Sequence, residues 1–438
     1  MDNSSLRASF HTLGCRLNQA ETALIANRFR DNGYRIVDFG EHADVCVINT
    51  CTVTDQADAK CRQAVRQTLR NNPDTYVAVV GCYAQTGTQA LSKIDGVDLI
   101  VGSQDKLDVL NYIDAPVKND SPAIIKTKFS RQPFTIEPSL AKLPTTRANL
   151  KIQDGCDFMC SFCLIPFARG RARSRAFWDI QREAQQLVDS GYQELVLTGV
   201  NIGTYRFEEK GFLDVVKMLL KIPALERLRI SSIEPTTIPE EILHLMADSD
   251  KLCPHLHIPL QSGDDGVLNR MKRLYTRREF LDFIEKAERI VPDVLIGTDV
   301  IVGFPGEDDA AFEESCRVMQ DSPMAYAHVF TYSQRKGTAA TRLDSHVEAR
   351  IKKERRKRLQ RISDEEKKRF YAKFIGRKLR VLVEERDRHE RWTGFSDNYI
   401  KVAFENAELT SNEFVSATLG AVEDGAAIGD ISKEEFVQ

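Results

Sequence analysis

Three cysteines in the middle of the chain have the spacing of ligands to one metal cluster. Cys156, Cys160 and Cys163 form C-x3-C-x2-C directly after a short apolar run, where a loop can wrap three thiolates around a cluster. A cubane iron–sulfur cluster has four irons, so three protein thiolates leave one iron free to bind a substrate or cofactor. The alternative is a zinc site completed by a distant His or Cys, because structural zinc sites are normally closed by a fourth ligand. The spacing favours an iron–sulfur cluster with an open coordination position.

A second set of three cysteines is dispersed in sequence but shares a position in the predicted elements. Cys15, Cys51 and Cys82 each end an apolar run, namely SFHTLGC, CVINTC and VAVVGC. If these runs are parallel strands, their carboxyl ends lie along one edge of the sheet, where open α/β folds bind ligands. Gly14 and Gly81 precede two of the cysteines and allow tight loops. From these residues alone, convergent thiols and three small buried residues are equally consistent with the pattern.

The other four cysteines have no such arrangement. Cys46 lies in a predicted strand and Cys61 in a predicted helix, whereas Cys253 and Cys316 belong to no array. We expect all four to pack in the interior, as free cysteines commonly do. The helix that follows Cys51 can nevertheless bring Cys61 close to the second set.

The elements that must position these thiols begin with an α/β region. Residues 5–112 alternate short apolar runs with amphipathic patterns, including helices near 19–32 and 56–71. This alternation predicts a parallel sheet with crossover helices. Between 113 and 147 the periodicity fades and prolines recur, which predicts a linker.

The central region, 148–345, repeats a strand-then-helix alternation. Helical patterns are clearest over 176–189 and 277–290, and the predicted strands are NLKIQDG, ELVLTGVN, RLRISSIE, HLHIPLQS, LIGTDVIVGF and YAHVFTYS. Six such strands indicate a partial (β/α)6 barrel, in which active-site residues lie at the carboxyl ends of the strands.

A charged helix over 346–373 and a β-rich tail complete the chain. The tail contains KLRVLVEE, RWTGFSDNYIKVAF and EFVSATL, which predict a small all-β barrel. The predicted fold class is α/β with four segments: an N-terminal parallel α/β sheet domain over 1–135, a linker over 136–147, the partial barrel with its basic helix over 148–372, and the β domain over 373–438.

Composition limits the class of protein. The 438 residues are 42% hydrophobic and 29% charged, which is typical of a globular protein with two or three domains. No apolar run approaches the roughly 20 residues that cross a bilayer, and the first residues contain no signal-peptide stretch. We therefore expect a cytoplasmic protein without a membrane partner, in which the ten cysteines form no disulfides and the clustered ones bind metal or do redox chemistry. The net charge of −3 gives no overall indication of nucleic-acid binding.

Together these features resemble the radical S-adenosylmethionine (SAM) methylthiotransferase family over essentially the whole chain. Six specific stretches occur in the family's order: INTCTVTDQADAK, IQDGCDFMCSFCLIPFARGRARSR, LTGVNIGTY, HLHIPLQSGDDGVLNRMKRLYT, TDVIVGFPGE and FTYSQRKGTAA. The resemblance implies two 4Fe–4S clusters and SAM as cofactors. The cluster on Cys156, Cys160 and Cys163 would bind SAM through its free iron and generate a 5′-deoxyadenosyl radical.

The resemblance further implies an auxiliary cluster, held by Cys15, Cys51 and Cys82, that carries the sulfur and accepts a methyl group from another SAM. An electron donor such as a flavodoxin or ferredoxin is an implied partner. The residues expected to contact SAM are polar residues at the ends of barrel strands: Thr198, Gly199, Asn201, Ser232, Glu234 and Gln261. His255 and His257 alternate with apolar residues and are expected to pack rather than to act in catalysis.

The substrate is suggested by the stretch GCRLNQAET over 14–22, which is similar to the branch acting on N6-threonylcarbamoyladenosine at position 37 of tRNA. The branch that modifies a ribosomal protein typically has proline where Arg16 stands. The isopentenyladenosine branch usually has a less basic sequence there. Both remain alternatives. The sequence says nothing about the oligomeric state.

Basic residues suggest where RNA would bind. Arg169, Arg171, Arg173 and Arg175 follow the first triplet and are expected to contact tRNA phosphate or the SAM carboxylate, or else to be surface charge. The charged helix is either an RNA-binding face or simply solvated. The tail resembles the TRAM module, and it contains basic groups beside aromatic rings: Arg377, Lys378, Arg380, Phe395, Tyr399 and Lys401. A protein of another class, a non-catalytic iron–sulfur RNA-binding protein or a sensor, would lack SAM turnover.

Overall fold

The N-terminal region folds around a six-stranded sheet. The computed structural model describes residues 6–137, 145–405 and 408–431. The sheet strands are β1 (Arg7–Thr12), β2 (Arg35–Val37), β3 (Val45–Thr50), β4 (Tyr76–Gly81), β5 (Leu99–Val101) and β6 (Ala123–Ile125). All neighbouring strands are parallel, in the order β2-β1-β3-β4-β5-β6. Every residue of β3 and β4 is buried, as expected for parallel strands with helices on both faces.

The covering helices are α1 (Arg16–Asp31), α2 (Asp55–Asn71), α3 (Cys82–Thr86) and α4 (Thr88–Leu91), with a 3-10 helix over Lys106–Tyr112. The sequence predicted α1 three residues too late, because its first turn carries cysteine and arginine instead of a typical helix cap. Helix α2 begins where expected, since the Thr54 side chain accepts a hydrogen bond from the Ala57 amide.

The predicted irregular stretch after residue 112 contains one strand of the sheet. β6 lies at the sheet edge directly after Pro122, a position in which proline is tolerated because no inward N–H is needed. Three residues are too few for a periodic pattern to be recognised in the sequence. Of the predicted linker over 136–147, residues 138–144 lie outside the described residues.

The central region is a half-open barrel of six parallel strands. They are β7 (Arg147–Lys151), β10 (Glu194–Thr198), β13 (Arg227–Ile230), β14 (His255–His257), β15 (Leu295–Val302) and β16 (Met324–Thr331). They form two three-stranded sheets, and a bridge between Ser232 and His257 joins β13 to β14. All six predicted strands are present, so the partial barrel is confirmed. Two short antiparallel pairs are added: β8 (Gln153–Asp154) with β9 (Arg173–Ser174), which enclose the cysteine loop, and the hairpin of β11 (Arg206–Phe207) and β12 (Lys210–Gly211).

Helices surround this half-barrel. They are α5 (Ile165–Arg169), α6 (Phe177–Asp189), α7 (Phe212–Leu220), α8 (Glu241–Asp248), α9 (Asp265–Arg270), α10 (Arg277–Ile290), α11 (Asp309–Asp321) and α12 (Ala349–Ala372). Three 3-10 helices cover Ile202–Thr204, Pro235–Thr237 and Ala339–Arg342. The bounds of α10 match the sequence prediction because Thr276 and Glu279 form a reciprocal capping box. Apolar faces of these helices pack on the strands and form the largest core of the molecule.

The charged helix α12 is one wall of the half-barrel rather than a free surface helix. It packs on β16, where the Ser363 hydroxyl accepts from the Ala327 amide at 2.8 Å and donates to its carbonyl at 3.1 Å. Leu359 is fully buried, and Arg355 is buried against Glu307 at 2.7 Å. Only the opposite face of α12 carries solvated charge, so both sequence interpretations missed the packed face.

The tail is a closed five-stranded barrel, as predicted. Its strands are β17 (Lys378–Arg386), β18 (Trp392–Ser396), β19 (Lys401–Phe404), β20 (Phe414–Glu423) and β21 (Ala426–Ile431), in the order β17-β18-β19-β21-β20. Its core continues into the end of α12 and the first residues of β15 and β16 through Leu295, Ala325 and Tyr371. No helix in the described ranges is long and apolar enough to cross a membrane.

Candidate active site

The C-x3-C-x2-C thiols lie in the loop between β8 and α5, at the mouth of the half-barrel. Gly155 has φ +70° and a Cβ there would meet the Arg171 carbonyl oxygen at 2.1 Å, so the loop requires glycine. Burial raises the pKa of the Cys163 thiol to about 12, although the Ile165 amide donates to this sulfur at 3.4 Å. The neighbouring Cys160 and Cys156 raise it further. Closely placed, half-buried thiols of this kind deprotonate when a metal supplies positive charge.

An arginine that sequence reasoning did not single out touches this loop. Arg273 Nη1 lies 3.2 Å from the Cys160 sulfur, and Nη2 of the same guanidinium donates to the Glu234 carboxylate. Burial raises the pKa of Glu234, and Arg273 opposes that shift. The side chain thus places a fixed positive charge beside a thiol, which favours the thiolate form.

The dispersed cysteines meet at the carboxyl edge of the N-terminal sheet. Cys15 precedes α1, Cys51 follows β3 and Cys82 begins α3. Burial raises the pKa of Cys51 to about 11, and charge on the nearby Cys82 and Cys15 raises it further. Gly14, at φ +105°, packs so closely that a Cβ there would lie 2.9 Å from the Cys51 sulfur. The structure therefore brings these three thiols together.

Cys61 is fully buried beside this set, as the helix after Cys51 suggested. Its thiol donates to the Cys51 carbonyl oxygen at 3.3 Å. Cys46, Cys253 and Cys316 are buried in the interior.

Both sets have the donor chemistry of a cluster with one open iron. Each consists of three thiols, and neither has a fourth cysteine ligand in the sequence pattern. Within residues 6–137, 145–405 and 408–431, no three His, Cys, Asp or Glu side chains surround a point suited to a single metal ion. A cubane holds its thiolates farther apart than a single ion does, because each thiolate binds a different iron.

A buried charge network fixes the two sets relative to each other. Glu21 of α1 is fully buried and pairs with Lys106 of its own domain, with Lys151 of β7 at 2.7 Å, and with Arg169 of α5 at 2.9 Å. Asp154 pairs with the same Lys151 and Arg169, at 2.7 and 3.0 Å. Although burial raises the pKa of Glu21, the three cations bring it far below its usual range, so the carboxylate stays charged.

The expectation that the arginines after the first triplet contact RNA or SAM, or are surface charge, is wrong for three of them. Arg169 belongs to the network above, and the fully buried Arg175 pairs with Asp179 at 2.6 Å and with Glu183. The Arg173 side chain is 8% exposed, pairs with Asp154 at 3.5 Å and donates to Gln104 Oε1 at 2.8 Å. Their partners lie on other elements or one turn along α6, which the local sequence did not reveal. Arg171 is exposed and pairs with Asp157 at 2.8 Å.

A second contact between the domains uses the FTYSQRKGTAA stretch. Arg335 Nη2 donates to Thr52 Oγ1 at 2.9 Å and to the Asp58 carboxylate at 2.5 Å, directly beside Cys51. The guanidinium is nearly buried. This arginine therefore ties the end of β16 to the loop that carries Cys51.

Two neighbouring cavities that share lining residues lie beside the cysteine sets. A cavity of about 800 Å³ reaches from Cys15 and Cys51 along the inner face of the half-barrel to Tyr399 of the small barrel. A cavity of about 220 Å³ lies at the barrel mouth beside Cys163. Val53, Thr54 and Phe330 line both. A ligand in these cavities would face both sets of thiols.

Four of the six residues expected to contact SAM line these cavities, whereas Asn201 and Glu234 line neither. Thr198, Gly199 and Ser232 line the larger one and Gln261 the smaller. Thr198 Oγ1, Asn201 Nδ2 and Gln261 Oε1 are buried without a hydrogen-bond partner in the described structure. Buried polar atoms are normally satisfied, so these orphans indicate groups that await a polar ligand. They fit SAM, which offers amino, carboxylate and ribose groups. Glu234 is instead engaged by Arg273.

The two histidines are buried on β14, as expected, and both also line the larger cavity. His257 Nε2 lies 3.1 Å from the Asp299 carboxylate and Nδ1 lies 3.2 Å from the Tyr326 hydroxyl. His255 is buried, and both of its ring nitrogens lack a partner among the described residues. Their alternation with apolar residues placed them on a strand but did not show that their side chains face a cavity.

The aromatic and basic residues of the small barrel are also placed differently from expectation. Phe395 and Tyr399 stack at 4.6 Å and line the larger cavity. Arg377 pairs with Asp293 and Arg380 with Glu226, so both join the small barrel to the half-barrel. These residues therefore hold the barrels together, and the two rings face inward instead of forming an outer stacking surface.

Comparisons with known proteins match this architecture. Residues 7–102 match the family described as Uncharacterized protein family UPF0004, and residues 150–319 match the Radical SAM superfamily. The threonylcarbamoyladenosine tRNA methylthiotransferase MtaB of Bacillus subtilis (strain 168) is 41% identical over 409 residues, which are 91% of this chain and 90% of that protein. The tRNA-2-methylthio-N(6)-dimethylallyladenosine synthase of Clostridium tetani (strain Massachusetts / E88) is 31% identical over 389 residues, covering 87% of this chain and 86% of that protein.

A solved structure shows the same fold. The radical S-adenosylmethionine methyltransferase TsrM of Kitasatospora setae, with tryptophan substrate and a SAM analogue bound, matches with a TM-score of 0.54. The match covers 74% of this chain and 73% of that chain at 12% identity, and it therefore describes the fold alone.

Proposed function

Since the chain belongs to the radical SAM methylthiotransferase family, we propose that it transfers a methylthio group to the C2 carbon of N6-threonylcarbamoyladenosine at position 37 of tRNA. The observation that carries this proposal is the pair of neighbouring cavities lined by thiols of both sets, Cys15 and Cys51 in the larger and Cys163 in the smaller. The relative of 41% identity bears the name of that activity. A binding protein without catalysis would need neither the second set nor the orphaned polar atoms between the two.

We assign the metal ligands as the sequence predicted. Cys156, Cys160 and Cys163 hold the 4Fe–4S cluster that binds SAM, and the auxiliary 4Fe–4S cluster is held by Cys15, Cys51 and Cys82. When bound, SAM and these clusters supply the radical, the methyl group and the sulfur, with electrons from a donor such as a flavodoxin or ferredoxin.

The chain's own residues orient and shield these groups. Thr198, Asn201 and Gln261 present their unpaired polar atoms to SAM. Gly199 allows its backbone to pack closely on Gln153, because a Cβ there would meet the Gln153 carbonyl oxygen at 3.0 Å. Arg273 stabilises the Cys160 thiolate while it holds Glu234 in place. No side chain is required as a general base at C2, because hydrogen removal there is a radical step.

The RNA is held outside the cavity by the free face of α12. This face presents cations with no ion pair among the described residues, and they are Lys353, Arg356, Lys357, Arg361 and Lys368. Such a row contacts phosphates and positions the substrate without reading its sequence. We also retain the domain bounds given above and a cytoplasmic location as parts of the proposal.

The test must distinguish threonylcarbamoyladenosine from two other candidate substrates. The relative named as a dimethylallyladenosine synthase is 31% identical, so isopentenyladenosine in tRNA is the main alternative, and a ribosomal protein is another. The anaerobically reconstituted enzyme should be incubated with SAM, a reductant and anticodon stem-loops that carry either modified adenosine. We expect methylthiolation of the threonylcarbamoyladenosine RNA alone, read by nucleoside mass spectrometry. Reversal of that preference, or activity only on a ribosomal protein, would refute the substrate assignment.

A further inference from the structure

One end of the larger cavity carries positive charge that the protein itself does not neutralise. Arg16, the first residue of α1, and Lys367 of α12 both line this cavity. Among the described residues, no carboxylate lies within ion-pair distance of either. Arg16 donates to the Tyr399 hydroxyl and its guanidinium lies 5.7 Å from that ring's centroid. The Lys367 ammonium lies 5.3 Å from the Tyr371 ring centroid.

The contrast with the other arginines is informative. Arg229 also lines the cavity, but it is held by Glu194 at 2.7 Å. Among the described cavity-lining residues Asp364 is the single acid, and its side chain accepts from Gln360. Arg16 and Lys367 are half-buried, and Asp364 acts on Lys367 only from beyond ion-pair distance, so this end of the cavity keeps positive charge that an anion can bind.

A neutral histidine, His255, lines the same cavity as Arg16 and Lys367. His255 is 5% exposed, and its two ring nitrogens have no hydrogen-bond partner in the described structure. Burial and the positive charge of Arg229, with His257 and Arg16, lower the pKa of His255 well below its usual value. A neutral imidazole offers one donor and one acceptor, which suits an amide or hydroxyl group.

Tyr399 joins these residues. Its ring centroid lies 4.5 Å from that of His255, with the rings tilted by 39°, while its hydroxyl accepts the Arg16 hydrogen bond. The residue has φ +67°, a left-handed conformation that is rare for tyrosine and concentrates at ligand sites. The small barrel thus lines this end of the cavity with Tyr399, and the hydrogen bond to Tyr399 orients the Arg16 side chain.

We propose that Arg16, Lys367 and His255 form the pocket for the threonylcarbamoyl group, with the two cations binding its carboxylate and His255 its polar carbamoyl or hydroxyl groups. This inference rests on the proposed function and deepens it, because it names the residues that separate an acidic substrate from isopentenyladenosine. A neutral hydrocarbon substituent would leave both cations and the imidazole unsatisfied, which disfavours its binding.

The test compares anticodon stem-loops that differ by one charge. One carries threonylcarbamoyladenosine, and the other carries its neutral carboxylate methyl ester. We expect the full-length reconstituted enzyme to bind the acid more tightly than the ester, by equilibrium titration without reductant. The Arg16→Gln variant should weaken binding of the acid by about 10- to 100-fold and leave the ester unchanged, as expected for loss of a charge-assisted contact. Arg16→Lys should retain part of the preference.

Lys367 provides a test remote from the cysteines. Lys367→Gln should also reduce the ratio of acid to ester affinity, whereas Lys368→Gln, its exposed neighbour on α12, should lower binding of both RNAs alike. Iron content and 5′-deoxyadenosine release without RNA must match the wild type, which separates recognition from cluster loss. Equal affinity of the wild-type enzyme for acid and ester, or an unchanged ratio in both Arg16→Gln and Lys367→Gln, would overturn this inference. Failure of the wild type to methylthiolate threonylcarbamoyladenosine at all would instead refute the proposed function.

Discussion

Gly14 shows how a single residue shapes the N-terminal thiol site. Its φ is +105°, in the left-handed region. A Cβ added at this position would lie 2.7 Å from the Cys51 Cβ. Gly33 has a similar φ of +86°, yet a Cβ there would meet nothing within 4 Å. The two glycines therefore share a left-handed conformation that would strain any other residue, and they differ in contact with Cys51.

We predict that Gly14→Ala loses the auxiliary cluster, because the added methyl group pushes Cys51 away from its neighbours. Anaerobic reconstitution followed by iron analysis should give about four irons per chain instead of about eight, on cubane stoichiometry. Gly33→Ala should keep the full iron content and lower stability by about 1 kcal/mol through strain alone. Full iron in Gly14→Ala would mean that the close packing at Cys51 does not position the cluster.

At the scale of single residues, the sequence located the cysteines and the special glycines but not their partners. The six thiols, Gly14 and Gly81 have recognisable spacing or strand-end positions. Arg273 and Glu21 have no such signal. Their ion-pair partners lie 39 or more positions away in the sequence, and no local pattern identifies them. Chain topology determines such pairs, and pattern reasoning reaches topology only coarsely.

Among the elements, α1 has two roles that its charged, weakly amphipathic sequence did not suggest. Its first turn carries Arg16 next to Cys15, and its second turn carries Glu21 into the interface with β7 and α5. The strands, in contrast, were predictable, since apolar runs followed by helices recur nine times in the N-terminal and central regions. Short edge strands such as β6 contain too few residues to produce a pattern.

We predict that Glu21→Gln destabilises the protein strongly, because Lys106, Lys151 and Arg169 would then share the single carboxylate of Asp154. Breaking a buried ion pair on one side costs about 3–5 kcal/mol, measurable as a lower denaturant midpoint of the apoprotein. The exposed pair of Arg171 with Asp157 is the control, and Asp157→Asn should cost at most about 1 kcal/mol.

The pH dependence of this effect has a definite sign. The folded-state pKa of Glu21 is depressed, so its contribution is complete above the unfolded value of about 4.3 and is lost as pH falls below it. The difference between wild type and Glu21→Gln should therefore stay constant from about pH 6 to 8 and narrow only in acid. A difference that shrinks between those pH values, or equal effects of Glu21→Gln and Asp157→Asn, would contradict the network's role.

On the scale of the whole molecule, two domains contribute thiols to a pair of neighbouring cavities. The Glu21 network and the contacts of Arg335 join these two domains. The small barrel lines the larger cavity with Phe395 and Tyr399. The sequence predicted the three parts, but their convergence on one cavity required the structure.

We predict that the two thiol sets have separable tasks. Replacing Cys15, Cys51 and Cys82 with Ala should leave about four irons, with 5′-deoxyadenosine still formed but neither methyl nor sulfur transferred to RNA. Replacing Cys156, Cys160 and Cys163 should likewise leave about four irons but abolish 5′-deoxyadenosine. Both variants must first be shown to be folded, because clusters also contribute to folding free energy. Wild-type methylthiolation by the first variant would exclude a sulfur-donor role for these cysteines.

The measurement that tests the central claim most directly is nucleoside mass spectrometry of tRNA from cells with and without this gene. The proposed function predicts that 2-methylthio-N6-threonylcarbamoyladenosine disappears when the gene is deleted, with a matching rise in N6-threonylcarbamoyladenosine, and returns on complementation with the wild-type gene. Complementation with the Cys156→Ala variant should not restore it. An unchanged level of the methylthiolated nucleoside in the deletion strain, or loss of the isopentenyladenosine derivative in its place, would contradict the claim.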